Sequence, residues 1–374
     1  MNQGLATAPT TDTGRDPSPP AVALLFFSGL AALVYQTIWI KQLTLVVGVD
    51  VYAVTTGVSG FFAGLALGSA VFGRLADRYS RPLLIYALLE VGIAILGICA
   101  TLALAQAAAP FVALQSKLGL AAWALPFALV AIPAALMGGT LPPLLADIRP
   151  RMEAIGQQSG RLYAANTAGA IVGVIVTGFL LVPAVGIRGA SISAASLNLV
   201  LAAVAFFLLS RSVFASNARV ATAPASAPPT RKEWRLAIAL YALAGGVALG
   251  YEVIWTQAIV QFLSTQAIAF SVVLATYLCG LVIGSWLYSR FADRVKRPWL
   301  AFGILIAGAG CSALATFALL GAWLPAAQDS LGKWLFSIFA SDMVSNLARY
   351  ALAAGTLLLL PTLLLGAAFP AATR

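Results

Sequence analysis

The sequence predicts an all-α polytopic membrane protein built as two parallel six-helix repeats, the second incomplete, with about ten spanning helices. Three observations predict it. Of 374 residues, 61% are hydrophobic and only 9% charged, and the mean hydropathy is +0.95. A soluble domain is nearer half apolar and a quarter charged, and polar side chains this scarce cannot cover so much apolar surface in water. Apolar stretches of spanning length recur along the chain. Finally, the second half repeats residues of the first at a constant spacing. A soluble enzyme, a disordered chain and a nucleic-acid-binding domain are excluded, and the bilayer becomes the expected solvent.

Residues 1–20 are polar and rich in Thr, Pro and Asp, with Arg15 as their one basic residue. They lack the basic start and small-residue cleavage site of a signal peptide and read as a disordered cytoplasmic tail. Apolar segments follow at roughly 21–47, 51–73, 82–106, 121–147, 161–185 and 188–210, the first six-helix repeat. About 20 apolar residues suffice for one helical crossing, whereas strand barrels would show short alternating segments. Residues 211–235 are rich in Ala, Pro and Ser and carry five basic residues, so they read as a cytoplasmic linker. Four more segments, near 236–263, 267–289, 298–322 and 347–371, form the second repeat, 236–374.

The repeat is visible residue by residue. Tyr35-Gln36-Thr37-Ile38-Trp39 meets Tyr251-Glu252-Val253-Ile254-Trp255, always 216 positions on, and Gly64, Gly68 and Asp77 meet Gly280, Gly284 and Asp293. Pro133, Gly138 and Pro142 meet Pro361, Gly366 and Pro370 at 228, so the second half carries twelve extra residues, expected around 325–346. Such matched positions mark a duplicated unit. An even number of spans in the first repeat makes the repeats parallel. The partner of Tyr163–Asn166 would fall near 391, past Arg374, so the sequence reads as part of a longer protein whose second repeat is cut short.

Charge gives the orientation. Seventeen Lys and Arg lie in the tail, the linker and the loops on their side, against four on the other side (Lys117, Arg188, Lys333, Arg349). The asymmetry places the N-terminus in the cytoplasm. It also accounts for the net charge of +10 without any nucleic acid. There are no histidines, which excludes His-based catalysis and His-ligated metals. Cys99, Cys279 and Cys311 lie far apart in apolar stretches and read as small buried packing residues. No GxGxxG loop is present. No metal, cofactor or catalytic residue is expected for this chain.

Between spans two and three stands Gly73-Arg74-Leu75-Ala76-Asp77-Arg78-Tyr79-Ser80-Arg81, echoed by Arg290-Phe291-Ala292-Asp293-Arg294-Val295-Lys296-Arg297. This resembles the cytoplasmic G-x-L-x-D-R-x-x-R signature of the major facilitator superfamily. The resemblance implies a latch (Gly73, Arg74, Asp77, Arg78, Arg81 and Arg290, Asp293, Arg294, Arg297) whose Asp caps a neighbouring helix and pairs with Arg in one state of a transport cycle. The strings at 28–39, 61–69, 136–142, 160–170 and 181–189 carry a narrower likeness. From Ala21 onward the chain resembles the membrane half of bacterial proteins that fuse a facilitator-like part to a spermidine-synthase-like part. That implies a multi-pass protein of the bacterial inner membrane. It also implies a partner aminopropyltransferase-like domain absent from this chain, and a polyamine or other cation as solute. The alternative implied is a non-transporting membrane platform for such an enzyme.

Ionisable groups inside spans cost several kcal/mol unless they meet a cavity or a partner. Glu252 lies mid-span, its repeat mate is Gln36, and Lys41 stands five residues further on. In facilitator folds spans one, four, seven and ten line the central path, which by analogy turns Gln36, Lys41, Glu252 and Gln257 inward, with Tyr35, Trp39, Tyr251 and Trp255 nearby. Glu252 either meets an organic cation or a coupling proton, or pairs with Lys41 to fix the bundle. Glu90, in the third span, is read as structural. Small residues every fourth position (Gly60, Gly64, Gly68; Gly169, Gly173; Gly280, Gly284) predict close helix packing. The same resemblance implies that spans two and five meet spans eleven and eight. Pro133, Pro142, Pro143, Pro361 and Pro370 predict kinks in spans four and ten.

Overall fold

The computed structural model describes residues 19–148, 155–212, 231–260, 266–291, 295, 297–321 and 323–372. Of the expected features, residues 1–18 of the tail, 213–230 of the linker, and Asp293 and Arg294 lie outside these residues. Among the described residues the chain is helical, with no strand. The helices are α1 (Pro19–Val47), α2 (Asp50–Arg78), α3 (Pro82–Leu104), α4 (Ala108–Leu118), α5 (Ala124–Gly138), α6 (Leu141–Ile148) and α7 (Ile155–Val176). They continue with α8 (Val182–Ser212), α9 (Arg231–Val260), α10 (Gln266–Phe291), α11 (Pro298–Ala318), α12 (Trp323–Phe339), α13 (Asp342–Ala354) and α14 (Leu360–Ala372). Eight helical stretches are long and apolar enough to cross a bilayer. One of them, Gly160–Ser210, is broken by Gly186 (φ 68°, ψ −177°) into two crossings, and the 30-residue α9 makes the tenth.

Prolines shape the crossings. Pro133 sits buried inside α5, and the fourth crossing then breaks at Gly139–Thr140 before α6 resumes with Pro142 and Pro143. Its repeat mate behaves differently. A five-residue π-turn, Gly355–Leu359, precedes Pro361 and lets the helix run on through α14. Proline cannot donate to the carbonyl four residues back. That carbonyl, Leu357 O, lies 3.3 Å from Thr316 Oγ1, a hydroxyl that also donates to Ala313 O at 2.9 Å in its own helix. A second π-turn, Thr177–Leu181, precedes Pro183.

Packing follows the repeat. In the first half α2 lies on α5, α3 on α8, and α1 on α7; in the second half α10 and α11 both lie on α14, as α2 and α3 lie on α5. The halves meet along α7 and α10, where a Cβ on Gly178 would stand 2.6 Å from Ser271 Oγ. The first half has buried apolar clusters around Leu25, Tyr86 and Leu162 and around Val46 and Phe111, and a larger one around Tyr35, Trp39 and Phe61 that also takes in Phe270 and Leu274 of α10. A separate cluster fills the second half around Trp255 and Leu357. Large apolar side chains such as Leu67, Ile304 and Leu314 face outward, as a lipid-facing surface demands. Trp286, Trp299, Trp323 and Trp334 are exposed near helix ends, where amphipathic rings settle at a membrane interface.

The twelve extra residues of the second half extend the hairpin between its third and fourth crossings. The first half crosses from α3 to α5 through the 11-residue α4 and a 3₁₀ turn, the second through the 17-residue α12 and an early start to α13. Ser341 caps α13, accepting from Val344 N at 3.5 Å. Asp329 and Arg349 pair across the hairpin at 2.8 Å, and Ser345 Oγ donates to Gly332 O at 2.9 Å.

One expectation is corrected here. Cys99 and Cys311 are exposed on α3 and α11, and Cys279 is half-buried. A thiol is apolar enough to face hydrocarbon, so a spanning helix need not bury it.

Candidate solute-binding region and its helices

Tyr35, Gln36 and Trp39 occupy the middle of α1 and are all buried. One helical turn apart, Tyr35 and Trp39 stack with ring centroids 5.2 Å apart and planes at 25°. The repeat reproduces the pair on α9, where Tyr251 and Trp255 stack at 4.9 Å and 15°. The i, i+4 spacing places both rings of each pair on one helix face. The two tryptophans differ in what holds them. Trp39 Nε1 donates to Thr101 Oγ1 at 3.0 Å. Trp255 Nε1 has no partner, because position 317, the repeat mate of Thr101, is Phe317.

Glu252 is fully buried, and neither carboxyl oxygen has a hydrogen-bond partner. Its backbone carbonyl accepts from Thr256 Oγ1 at 2.7 Å. Lys41 and Gln257 are half-buried. With both its oxygens unpartnered, Glu252 does not pair with Lys41. Gln36, 2% exposed, likewise has an unpartnered Nε2. Tyr35 and Trp39 belong to the first-half cluster and Trp255 to the second-half cluster. Of the described cavities, one of about 610 Å³ lies between the ends of α1 and α4. Another, of about 250 Å³, lies between α1, α3 and α8 and is lined by Gln42 and Arg188. Gln36 and Glu252 line neither.

The latch residues sit on helix rather than in a loop. Gly73, Arg74, Asp77 and Arg78 form the last two turns of α2, with only Arg81 beyond it. A basic last turn suits the negative end of the helix dipole. Arg74 Nη1 donates to Ala70 O at 3.2 Å, and Asp77 makes no ion pair among the described residues. The α3 N-cap position, Arg81, receives no side-chain cap. In the second half Arg297 is exposed, and the Arg290 guanidinium lies 3.7 Å over the Trp286 ring.

Glycine stripes pack within each half. A Cβ on Gly64 would overlap Ala131 O, and one on Gly68 would overlap Ala135 O, both on α5; Gly138 returns the contact against Leu65 O. In the second half Gly280 meets Thr362, Gly284 meets Leu363 O, and Gly366 meets Leu281 O. Gly169 and Gly173 take the backbone of Phe26 and Leu30 on α1. The stripe glycines therefore meet helices of the same half, while span five still meets span eight across the halves, through α7 and α10, as the family likeness implied.

Several polar residues were not singled out from sequence. Gln42 Nε2 donates to Thr101 O at 2.8 Å, Thr101 Oγ1 and Ser191 Oγ lie 3.0 Å apart, and Asn198 Nδ2 donates to the Glu90 carboxyl at 2.5 Å. Their signal was the seven-residue spacing of Ser191 and Asn198 on an otherwise apolar helix, which puts both on one face.

No curated protein matches the chain. Among solved structures it is similar to a bacterial homolog of the human lysosomal transporter Spinster, at 15% identity and TM-score 0.47, covering 95% of this chain and 82% of that one. An auto-inhibited POT family peptide transporter gives 13% and 0.38, covering 95% and 86%. The POT family transporter PepTSo gives 11% and 0.40, covering 95% and 88%. The sequence pattern of the Major Facilitator Superfamily matches residues 21–328, from the start of α1 into α12. With that span matched, and with a multi-helix bundle whose halves repeat each other's packing, the chain belongs to the Major Facilitator Superfamily of membrane transporters.

Proposed function

We propose that this chain moves a small polar or cationic solute across the membrane by alternating access of its two halves, residues 21–210 and 236–374, with Glu252 as the carboxylate that meets the cation or a coupling proton. The observation that carries this reading is the state of Glu252: fully buried, both oxygens unpaired, one residue from the Tyr251–Trp255 stack. A buried carboxylate with no protein partner is costly, and a cation or a proton would offset that cost. Aromatic faces beside it suit an organic ammonium. Gln36 and Lys41, on the matching helix α1 of the first half, complete the polar set. The family likeness narrows the solute to polyamines. The excess of basic residues on the tail side supports a cytoplasmic N-terminus. Arg74, Asp77 and Arg78 then stand where a cytoplasmic latch would act.

The test is uptake of labelled putrescine, spermidine and a panel of neutral and anionic solutes into liposomes holding the full-length protein, with and without a pH gradient. Saturable uptake of cations, lost in Glu252→Gln and retained in Cys311→Ser, is the expected result. No protein-dependent uptake across the panel, or unchanged uptake in Glu252→Gln, would refute the reading.

A further inference from the structure

Among the described residues Glu90 is a second fully buried carboxyl, and unlike Glu252 it has a built environment. It sits in the middle of α3, facing α1 and α8, with Asn198 Nδ2 donating to Oε2 at 2.5 Å and the Ser28 and Tyr86 hydroxyls as further hydrogen-bond partners of the carboxyl. Two atoms of this pair lack any partner: Glu90 Oε1 and Asn198 Oδ1. Both are acceptors. An ionised carboxylate leaves both orphaned and adds an uncompensated charge to the bundle interior. One proton on Oε1 would supply a donor that the two oxygens lack, and with Oδ1 as its acceptor would close the acid and the amide into a ring of two hydrogen bonds. No cation is recorded against Glu90. The titratable groups beside it are Tyr86 on its own helix and Tyr35 on α1, while α8 contributes only the neutral Asn198.

The pair lies at one end of a buried polar seam. Seven residues along α3 from Glu90, Gly97 makes room for Tyr35: a Cβ there would stand 2.7 Å from the Tyr35 hydroxyl, which has no partner. One turn further, Thr101 gathers Trp39, Ser191 and Gln42. Gln42, its Oε1 unpartnered, lines the 250 Å³ cavity with Arg188 at the end of the bundle away from the N-terminus. Glu90 to Thr101 spans about 16 Å at 1.5 Å per residue.

The second half argues against packing as the reason for the seam. Position 306, the mate of Glu90, is Ile306, and the mate of Thr101 is Phe317. The same helix therefore packs in the second half without these polar groups.

We propose that Glu90 and Asn198 form a proton-binding site within the first six-helix bundle, with Glu90 held as the neutral acid, and that the seam through Tyr35, Thr101 and Gln42 is its route to the cavity at Arg188. The proton comes from the aqueous phase and adds to the carboxylate, with no other bond made or broken. The proposal stands independently of solute transport by Glu252.

Infrared spectroscopy of the full chain in lipid nanodiscs tests it. The expected spectrum at pH 7, well above the ordinary carboxyl range of about 4.3, contains the carbonyl stretch of a protonated carboxylic acid. That band should vanish in Glu90→Gln, an isosteric change that keeps the amide ring and the fold, and persist in Glu252→Gln. It should change frequency in Asn198→Asp, and shift on transfer to D₂O more slowly in Gln42→Leu than in the parent chain. Absence of the band at pH 7, or a band that survives Glu90→Gln, overturns the site. An exchange rate unchanged by Gln42→Leu overturns the route.

Discussion

One substitution repeated down one helix gives a graded test of the packing. Glycines 60, 64, 68 and 73 all lie within α2, so Ala at each brings the same gain in helix propensity, about 0.8–1 kcal/mol. What differs is the space. At Gly73 the nearest atom to a new Cβ is Pro142 Cβ at 3.8 Å, an ordinary contact. At Gly60 it is Phe127 O at 3.2 Å, tight enough to cancel most of the gain. At Gly64 the Cβ overlaps Ala131 O, with Ala134 Cβ at 2.7 Å and Ala135 N at 3.0 Å. At Gly68 it lands on the Ala135 carbonyl, with Ala135 Cα at 2.9 Å. Backbone atoms cannot rotate away, so α2 and α5 must separate, and overpacking of this kind costs about 1–3 kcal/mol. The expected order of stability is Gly73→Ala at or above the parent chain, Gly60→Ala near it, Gly64→Ala lower by about 1 kcal/mol, and Gly68→Ala lowest by about 2 kcal/mol. Thermal denaturation of the detergent-solubilised chain, followed by fluorescence-detected size exclusion, reads this order. A Gly68→Ala chain as stable as the parent, or Gly73→Ala as the worst of the four, would refute the α2–α5 contact as described.

Two further outcomes follow from side chains the structure places. Thr101→Val keeps the shape but removes the acceptor of Trp39 Nε1 and the contact with Ser191 Oγ. It should lower stability by about 1–2 kcal/mol, whereas Phe317→Leu at the repeat position, which breaks no hydrogen bond to Trp255, should leave the tryptophan hydrogen-bonding signature in resonance Raman spectra unchanged. Cys99 and Cys311, exposed on α3 and α11, should react with a lipid-soluble maleimide in the bilayer faster than the half-buried Cys279; three equal rates would contradict the outward aspect of those faces.

Crossings were legible because their cause is one-dimensional. A run of apolar residues of bilayer length is a property of the chain alone, and the spacing of 216 positions between the halves is visible before any folding. The break between the fifth and sixth crossings was legible too, since the apolar segments stop at 185 and restart at 188, but the backbone geometry that makes it was not. Nothing in the neighbours of Gly186 distinguishes it from Gly178 or Gly189, yet it alone of the three takes a positive φ and turns the chain from the fifth crossing into the sixth. Likewise Pro133 and Pro361 are repeat mates, but one crossing breaks after Gly138 and the other absorbs its proline in a π-turn. At the π-turn Thr316 of α11 reaches Leu357 O, a contact 41 residues away in sequence that no local pattern announces.

The polar residues divide the same way. Sequence alone marked Glu252, Gln36 and Lys41 as unusual, because any charge or amide in an apolar span is conspicuous. It also set the number of crossings and the repeat, since hydropathy and identity are read along the chain. Only the tertiary structure decided that Glu252 has no partner while Glu90 meets Asn198, 108 residues later, and that each glycine stripe receives a helix of its own half. Partnership depends on which helix faces turn toward each other, and that is fixed by close packing between segments far apart in the chain.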